Sequence, residues 1–263
     1  MSKPFLIGFV SGLALLFVVG VGASRLRQKD AEDAKQRSEL ERFQAELVDA
    51  TPVQLGVLTE TQRIHSKLYS HYLKLGSNRT ISGLVAQATG KSKIVETGVL
   101  VGMTEVLTEP ATPENYFGEL TELSDAVVRG RVIRSVAQLT EDDAFVFTDY
   151  DVAATEVLKS NPSAPIHRGT TLTVTRPGGK VLLNGIIVKA RDDAFAPLPL
   201  NNHDVVLFLK FIPETGAYRA TRATGTFELD GQILRPLTEV GFPPGVLRDA
   251  DSFLQTARIV SNR

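Results

Sequence analysis

Twenty consecutive residues, Pro4 to Ala23, carry no charge. As a helix rising 1.5 Å per residue they span about 30 Å, the thickness of a bilayer's hydrocarbon core. A helix apolar on all sides has no face to turn to water, so this run is expected outside the globular fold. Two outcomes suit it: a single-pass membrane anchor, or an export signal removed after Ala23. The short start Met1-Ser2-Lys3 and the small residues Val21 and Ala23 fit a cleavage site. The length of the run, and the charged segment directly after it, favour retention. Lys3 lies on one side of the run and Arg25, Arg27 and Lys29 on the other. Counting positive charge leans toward a cytoplasmic C-terminal side, whereas a short leading segment favours an outward domain. The expectation is an extracytoplasmic domain, with a secreted or periplasmic form as the alternative.

The rest of the chain divides by texture. Residues 1–24 are read as anchor or signal, 25–50 as a charged helical stalk, 51–115 as a helical region, 116–240 as a β domain and 241–263 as a C-terminal helix. In the stalk Asp33 and Arg37 form an acid-to-base i,i+4 pair. Leu26, Leu40 and Leu47 share a heptad phase with Phe43 complementary, but Lys29, Asp33 and Gln36 interrupt the seam. A solvated stalk is expected, with weak self-association as the alternative. Thr51-Pro52 marks a break. Thr59 and Gln62 stand at capping-box spacing ahead of an apolar stripe of Ile64, Leu68, Tyr72 and Leu75, which Gly76 stops. A second helix is expected over Ile81 to Ala88, then a strand within Lys93 to Val101.

From about Asp125 short β-branched and aromatic runs alternate with turn residues. Strands are expected over Ala126 to Val136 (interrupted at Gly130), Ala144 to Val157, Thr170 to Thr175, Lys180 to Leu183, Ile186 to Ala190, Val205 to Ile212, Ala217 to Thr221 and Gly225 to Leu229. Asn184-Gly185 is the strongest hairpin signal, because a type I′ turn needs positive φ twice. Val205 to Ile212, almost wholly apolar, reads as a central strand buried on both faces. The fold class expected is α+β, ending in a closed or nearly closed antiparallel, OB-like β-barrel of about eight strands, preferably a five-stranded barrel with an added hairpin. Leu247, Ala250, Leu254 and Ala257 would line the packing face of a last helix from Val246 to about Val260.

Chemistry is harder to find. With no cysteine the chain has no disulfide, thiol nucleophile or Cys-based zinc site. A net charge of −1 gives no basic excess for nucleic acid. His65 and His71, six apart, point about 240° away from each other on a helix and cannot chelate one ion. Tyr69 and Tyr72 read as packing aromatics. Glu141, Asp142 and Asp143 form one acidic loop and Asp192 with Asp193 another, but neither has calcium-loop order. Arg176-Pro177-Gly178-Gly179-Lys180 resembles a phosphate cradle, yet strands flank it where a cradle needs a following helix. Phe145 and Phe147 could stack bases, but Asp149 and Asp151 continue their face and would repel phosphate.

The segments VVRGRV, EDDAFVFTDYDV, TEVLK, TVTRPGGKV, NGIIVKA, VVLFLKFIPETGAY and GTFEL, preceded by QRIHSKLYSHY and ENYFGEL, resemble a group of uncharacterised bacterial proteins. Those proteins are exported or membrane-anchored. The likeness covers about two thirds of the chain and implies an envelope protein with a small β-barrel; it supplies no cofactor and no catalytic residue. The function expected is therefore a membrane-tethered, non-enzymatic binding or assembly module, with an envelope protein or glycan as partner and no nucleic acid. The alternative is an extracytoplasmic hydrolase using the acidic loops. The expected binding surface is an exposed loop rim of Asp142, Phe145, Arg176, Lys180, Asp192 and Phe195.

Overall fold

The computed structural model describes residues 32–69, 80–99, 112–192, 194–200, 203–238 and 250–261. The Pro4–Ala23 run, His71, Tyr72, Leu75, Gly76, Asp193 and Leu247 lie outside them. Among the described residues no helix is long and apolar enough to cross a membrane. The chain forms two compact units, Met1–Val48 and Asp49–Arg263. In the first, residues 32–47 form helix α1, with Leu40 and Leu47 exposed.

The second unit is α+β. It contains β1 (Thr51–Pro52), α2 (Glu60–Tyr69), α3 (Ile81–Ala88), β2 (Ile94–Val99) and α4 (Pro113–Leu123). Next come β3 (Ala126–Leu139), β4 (Val146–Lys159), β5 (Thr171–Pro177), β6 (Gly179–Leu183), β7 (Ile186–Asp192) and β8 (Asp204–Ile212). The last elements are β9 (Ala217–Ala220), β10 (Thr226–Asp230), β11 (Ile233–Pro236) and α5 (Ala250–Ser261). The strands make two sheets, of order β1-β6-β7-β2 and β11-β10-β8-β3-β4-β5-β9, and β9 also pairs with β8.

This corrects the expectation of one antiparallel barrel of about eight strands. The chain leaves the larger sheet at Pro177, which has no N–H to continue a ladder. Gly178 and Gly179, at φ 86° and 144°, turn it into the smaller sheet. A Cβ on Gly179 would lie 2.2 Å from the Thr148 hydroxyl oxygen, so only glycine fits the corner. Three pairings are parallel, β1–β6, β2–β7 and β5–β9. Thr51-Pro52, expected as a mere break, supplies the first of these.

The strands β3 and β4 have 14 residues each, about 45 Å of extended chain, and their turn-side ends pack against the smaller sheet. Three register shifts bend them and sharpen their twist, one of them at Arg129/Gly130. At Asn184 and Gly185, φ of 51° and 77° confirms the type I′ turn.

Three apolar cores result. Ala126, Val128, Val152, Leu172, Val174, Val205, Leu207 and Leu209 pack together on one side of the larger sheet. On its outer face α4 and α5 cover Val127, Val206, Phe208 and Phe227. Phe117 lies at the centre of that layer, with ring centroids 4.9 Å from Phe253, 6.0 Å from Phe227 and 6.1 Å from Phe208. β8 is thus buried on both faces, as its sequence requires. The third core joins α2 and α3 to Leu139, Phe145, Phe147, Val181 and Val188. In α5, Ala250, Leu254 and Ala257 are buried as expected, together with Phe253. Helix α4 was not foreseen, although Thr112 caps it and Pro113 opens it.

Candidate functional site

Two polar clusters are built into this frame. The first is centred on α2. Its capping box forms: the Thr59 N–H donates to Gln62 Oε1 at 2.9 Å and the Gln62 N–H to Thr59 Oγ1 at 3.2 Å. The buried face is not the expected Ile64–Leu68 stripe, whose members are only partly covered, but His65, Ser66 and Tyr69. His65 Nδ1 lies 2.9 Å from Asp149 Oδ1, and Nε2 lies 3.0 Å from Thr215 Oγ1. With the carboxylate accepting from Nδ1–H, Nε2 accepts the Thr215 hydroxyl proton. The Glu141 N–H donates to Ser66 Oγ at 2.7 Å. Tyr69 stacks on Phe147 at 5.8 Å, and burial raises its phenol well above the usual range.

Carboxylate, imidazole and hydroxyl stand in the order of a hydrolytic triad. The surroundings make the arrangement a clamp instead. The imidazole is 0% exposed, with no surface for a substrate to reach. Thr215 Oγ1 also accepts from the Ala217 N–H at 3.3 Å. The amides of Thr215 and Gly216 both bond to Ile212 O and are not open to an oxyanion.

The second cluster surrounds Arg176, which is 1% exposed. Nη2 donates to Leu237 O at 3.3 Å, whereas Nε and Nη1 have no hydrogen-bond partner among the described residues. Burial pulls its pKa down to about 10; Tyr150, Tyr69 and Asp192 oppose that fall. The guanidinium carbon sits 5.3 Å from the centre of the Phe195 ring. Asp192 Oδ1 accepts from the Ala194 N–H at 2.8 Å, shaping the turn that carries Phe195.

The expected loop rim does not exist as an exposed surface. Phe145, Arg176 and Asp192 are buried, Phe195 and Lys180 are partly covered, and Asp142 is exposed. Arg176, Asp192 and Phe195 do come together, but as interior packing. Phe145 belongs to the core under α3, and Lys180 pairs with Asp49 at 3.4 Å. The acidic loops are likewise engaged locally. Asp143 accepts from the Ser82 N–H at 3.1 Å and from its hydroxyl, capping α3 alongside Thr80. Among the described residues no group of three or more His, Asp or Glu could hold a metal ion. Phe147 and Asp149 share a face, as expected, and α2 covers both. His203, which looked isolated, contacts Glu228.

The roles of His65 and Arg176 escaped the sequence reading. A period of two places Arg176 on the face of Leu172 and Val174, and hence inside. For His65 the one available signal was its i,i+4 spacing to Tyr69. Comparison with protein-family models gives no match, and neither does comparison with curated proteins.

Proposed function

We propose that the chain is a membrane-tethered, non-enzymatic binding or assembly module of the bacterial cell envelope, built on an OB-like barrel. The observation that carries this reading is the pairing cycle β3–β4–β5–β9–β8–β3 with its single parallel contact, β5–β9. A five-stranded, partly open Greek-key barrel of this kind is a scaffold for binding by strand faces and adjoining loops. The uncharged run Pro4–Ala23 supports the tether. The candidate acid, base and hydroxyl groups are committed to caps and clamps, which favours binding over turnover.

The partner is an envelope protein or glycan. Cross-linking in intact cells, then affinity recovery of the full chain from detergent-solubilised membranes, tests this. One partner recovered reproducibly, and lost when the β4–β5 face is altered at Asp151 and Thr173, is expected. Recovery of the chain alone from every preparation would overturn the proposal.

A further inference from the structure

The strands β4, β5 and β9 and the loops 140–145 and 213–216 frame the face on which a barrel of this type takes its ligands. That face is already filled by the chain itself. Each buried side chain of α2 meets a different wall. His65 reaches Asp149 on β4 and Thr215 in the 213–216 turn, 2.9 and 3.0 Å away. Ser66 accepts from Glu141 in the 140–145 loop at 2.7 Å. Tyr69 stacks on Phe147 of β4 and contributes to the core beneath. Arg63 adds an exposed ion pair to Glu141 at 3.7 Å.

We infer that this groove is a helix-binding site, kept occupied in cis by α2, and that α2 undocks independently of the barrel. The inference rests on the reading of the chain as a binding module only for the use made of the groove. Its physical basis is the contrast between α2 and everything around it. A 10-residue helix is too short to persist alone, so α2 stays helical by being docked. Docking rests on His65, Ser66 and Tyr69, with Leu68 partly buried beside them, and α2 lies outside both sheet ladders. The strands below are hydrogen-bonded to neighbours on both sides, as β4 is to β3 and β5, and β8 buries both of its faces. A segment held by few contacts opens at a smaller free-energy cost than the fold it covers. Undocking exposes Phe147, Asp149, Thr215 and the Glu141 amide together. An amphipathic helix presenting a polar-aromatic edge like that of His65, Ser66 and Tyr69 fits them, the helix-in-groove mode of recognition.

Hydrogen exchange on the full chain in detergent tests the undocking. Amides of α2 are expected to exchange about a hundredfold faster than those of β8. Thr215→Val, which leaves every α2 side chain and every core residue in place, should speed α2 about tenfold further and leave β8 unchanged. Exchange of α2 and β8 at one rate, or equal acceleration of both, would overturn the inference. The groove is tested with a fluorescein-labelled peptide of residues 57–70. It should bind the full-length His65→Ala/Tyr69→Ala variant at least about tenfold more tightly than the parent chain. Equal binding to both, or none to the variant while its β8 amides remain protected, would overturn the helix-binding assignment. If both results hold and no envelope partner is ever recovered, the module reading fails and the groove assignment stands.

Discussion

Arg176 offers the sharpest test of the packing, because its charge is held where charge is expensive. Its ordinary value of 12.5 falls to about 10 in the folded chain. At 1.36 kcal/mol per unit, that difference corresponds to roughly 3 kcal/mol against keeping the side chain ionised inside. The sign follows from linkage. Between about 10 and 12.5 the unfolded chain binds the proton more tightly, so this group adds stability as the pH rises through that window. Below about 10 the full penalty applies. Asp192 attracts Arg176 across the interior, so removing Arg176 alone withdraws that compensation from a buried carboxylate and leaves the side chain's volume empty, which costs at least about 2 kcal/mol. Replacing both, Arg176→Met with Asp192→Asn, removes both charges, fills the arginine volume and retains an amide oxygen for the Ala194 N–H. The double variant should therefore match the parent or exceed it by up to about 3 kcal/mol, while each single variant loses at least about 2 kcal/mol. Urea unfolding followed by far-ultraviolet circular dichroism measures all four proteins. For a chain of this size each kcal/mol moves Tm by about 2–4 °C, so thermal melts give a second reading. A double variant as unstable as the sum of the two singles would refute the reasoning, because the charges would then be independent.

Further outcomes follow from other parts of the fold. Phe117→Ala should cost about 3–5 kcal/mol in the same unfolding assay, since the ring sits among Phe208, Phe227 and Phe253. Phe117→Leu should recover more than half of that loss. Gly130→Ala places a Cβ 2.7 Å from Ala153 O and 2.8 Å from Val152 Cγ1, and should destabilise by about 1–3 kcal/mol with β3–β4 amide protection falling most. Burial alone would raise the Asp204 carboxyl, but hydrogen bonds from Arg131 and Arg129 bring it below its ordinary 3.8. Its stabilising share is thus present above that value and disappears as the pH falls through the depressed folded value. Asp204→Asn should flatten this part of the acid limb of a stability–pH profile, and an unchanged limb would contradict the assignment. Asp143→Ala should fray α3 at a cost of about 1 kcal/mol, seen as faster exchange at Ser82 and Gly83.

How far the residues foretold the molecule depends on which forces shape each part. Local rules were legible: the Thr59–Gln62 capping box, the Ile81–Ala88 helix and the Asn184-Gly185 turn all form, because short-range geometry decides them. The burial of β8 was equally plain from its apolar run. The sheet partition was not, because the departure of β6 and β7 depends on where two long strands cease to share neighbours. Tertiary competition also hid the face of α2. Ile64 and Leu68 look like the buried stripe, yet Asp149, Thr215 and Phe147 lie where His65 and Tyr69 are the better fit. For the expected rim, charge was taken as a mark of exposure. The two-residue period of β5 sends Arg176 inward regardless of its charge.

The proposal that bears most on function is that the folded domain is held at a membrane by the uncharged run Pro4–Ala23. Intact-mass measurement of the full-length protein in carbonate-washed membranes, after protease treatment of spheroplasts, tests it most directly. The account predicts that untreated membranes retain the chain with residues 1–23 still attached, and that external protease removes the domain beyond them. A mature protein that lacks those residues and is found free of the membrane, or a domain that protease cannot reach, would contradict it.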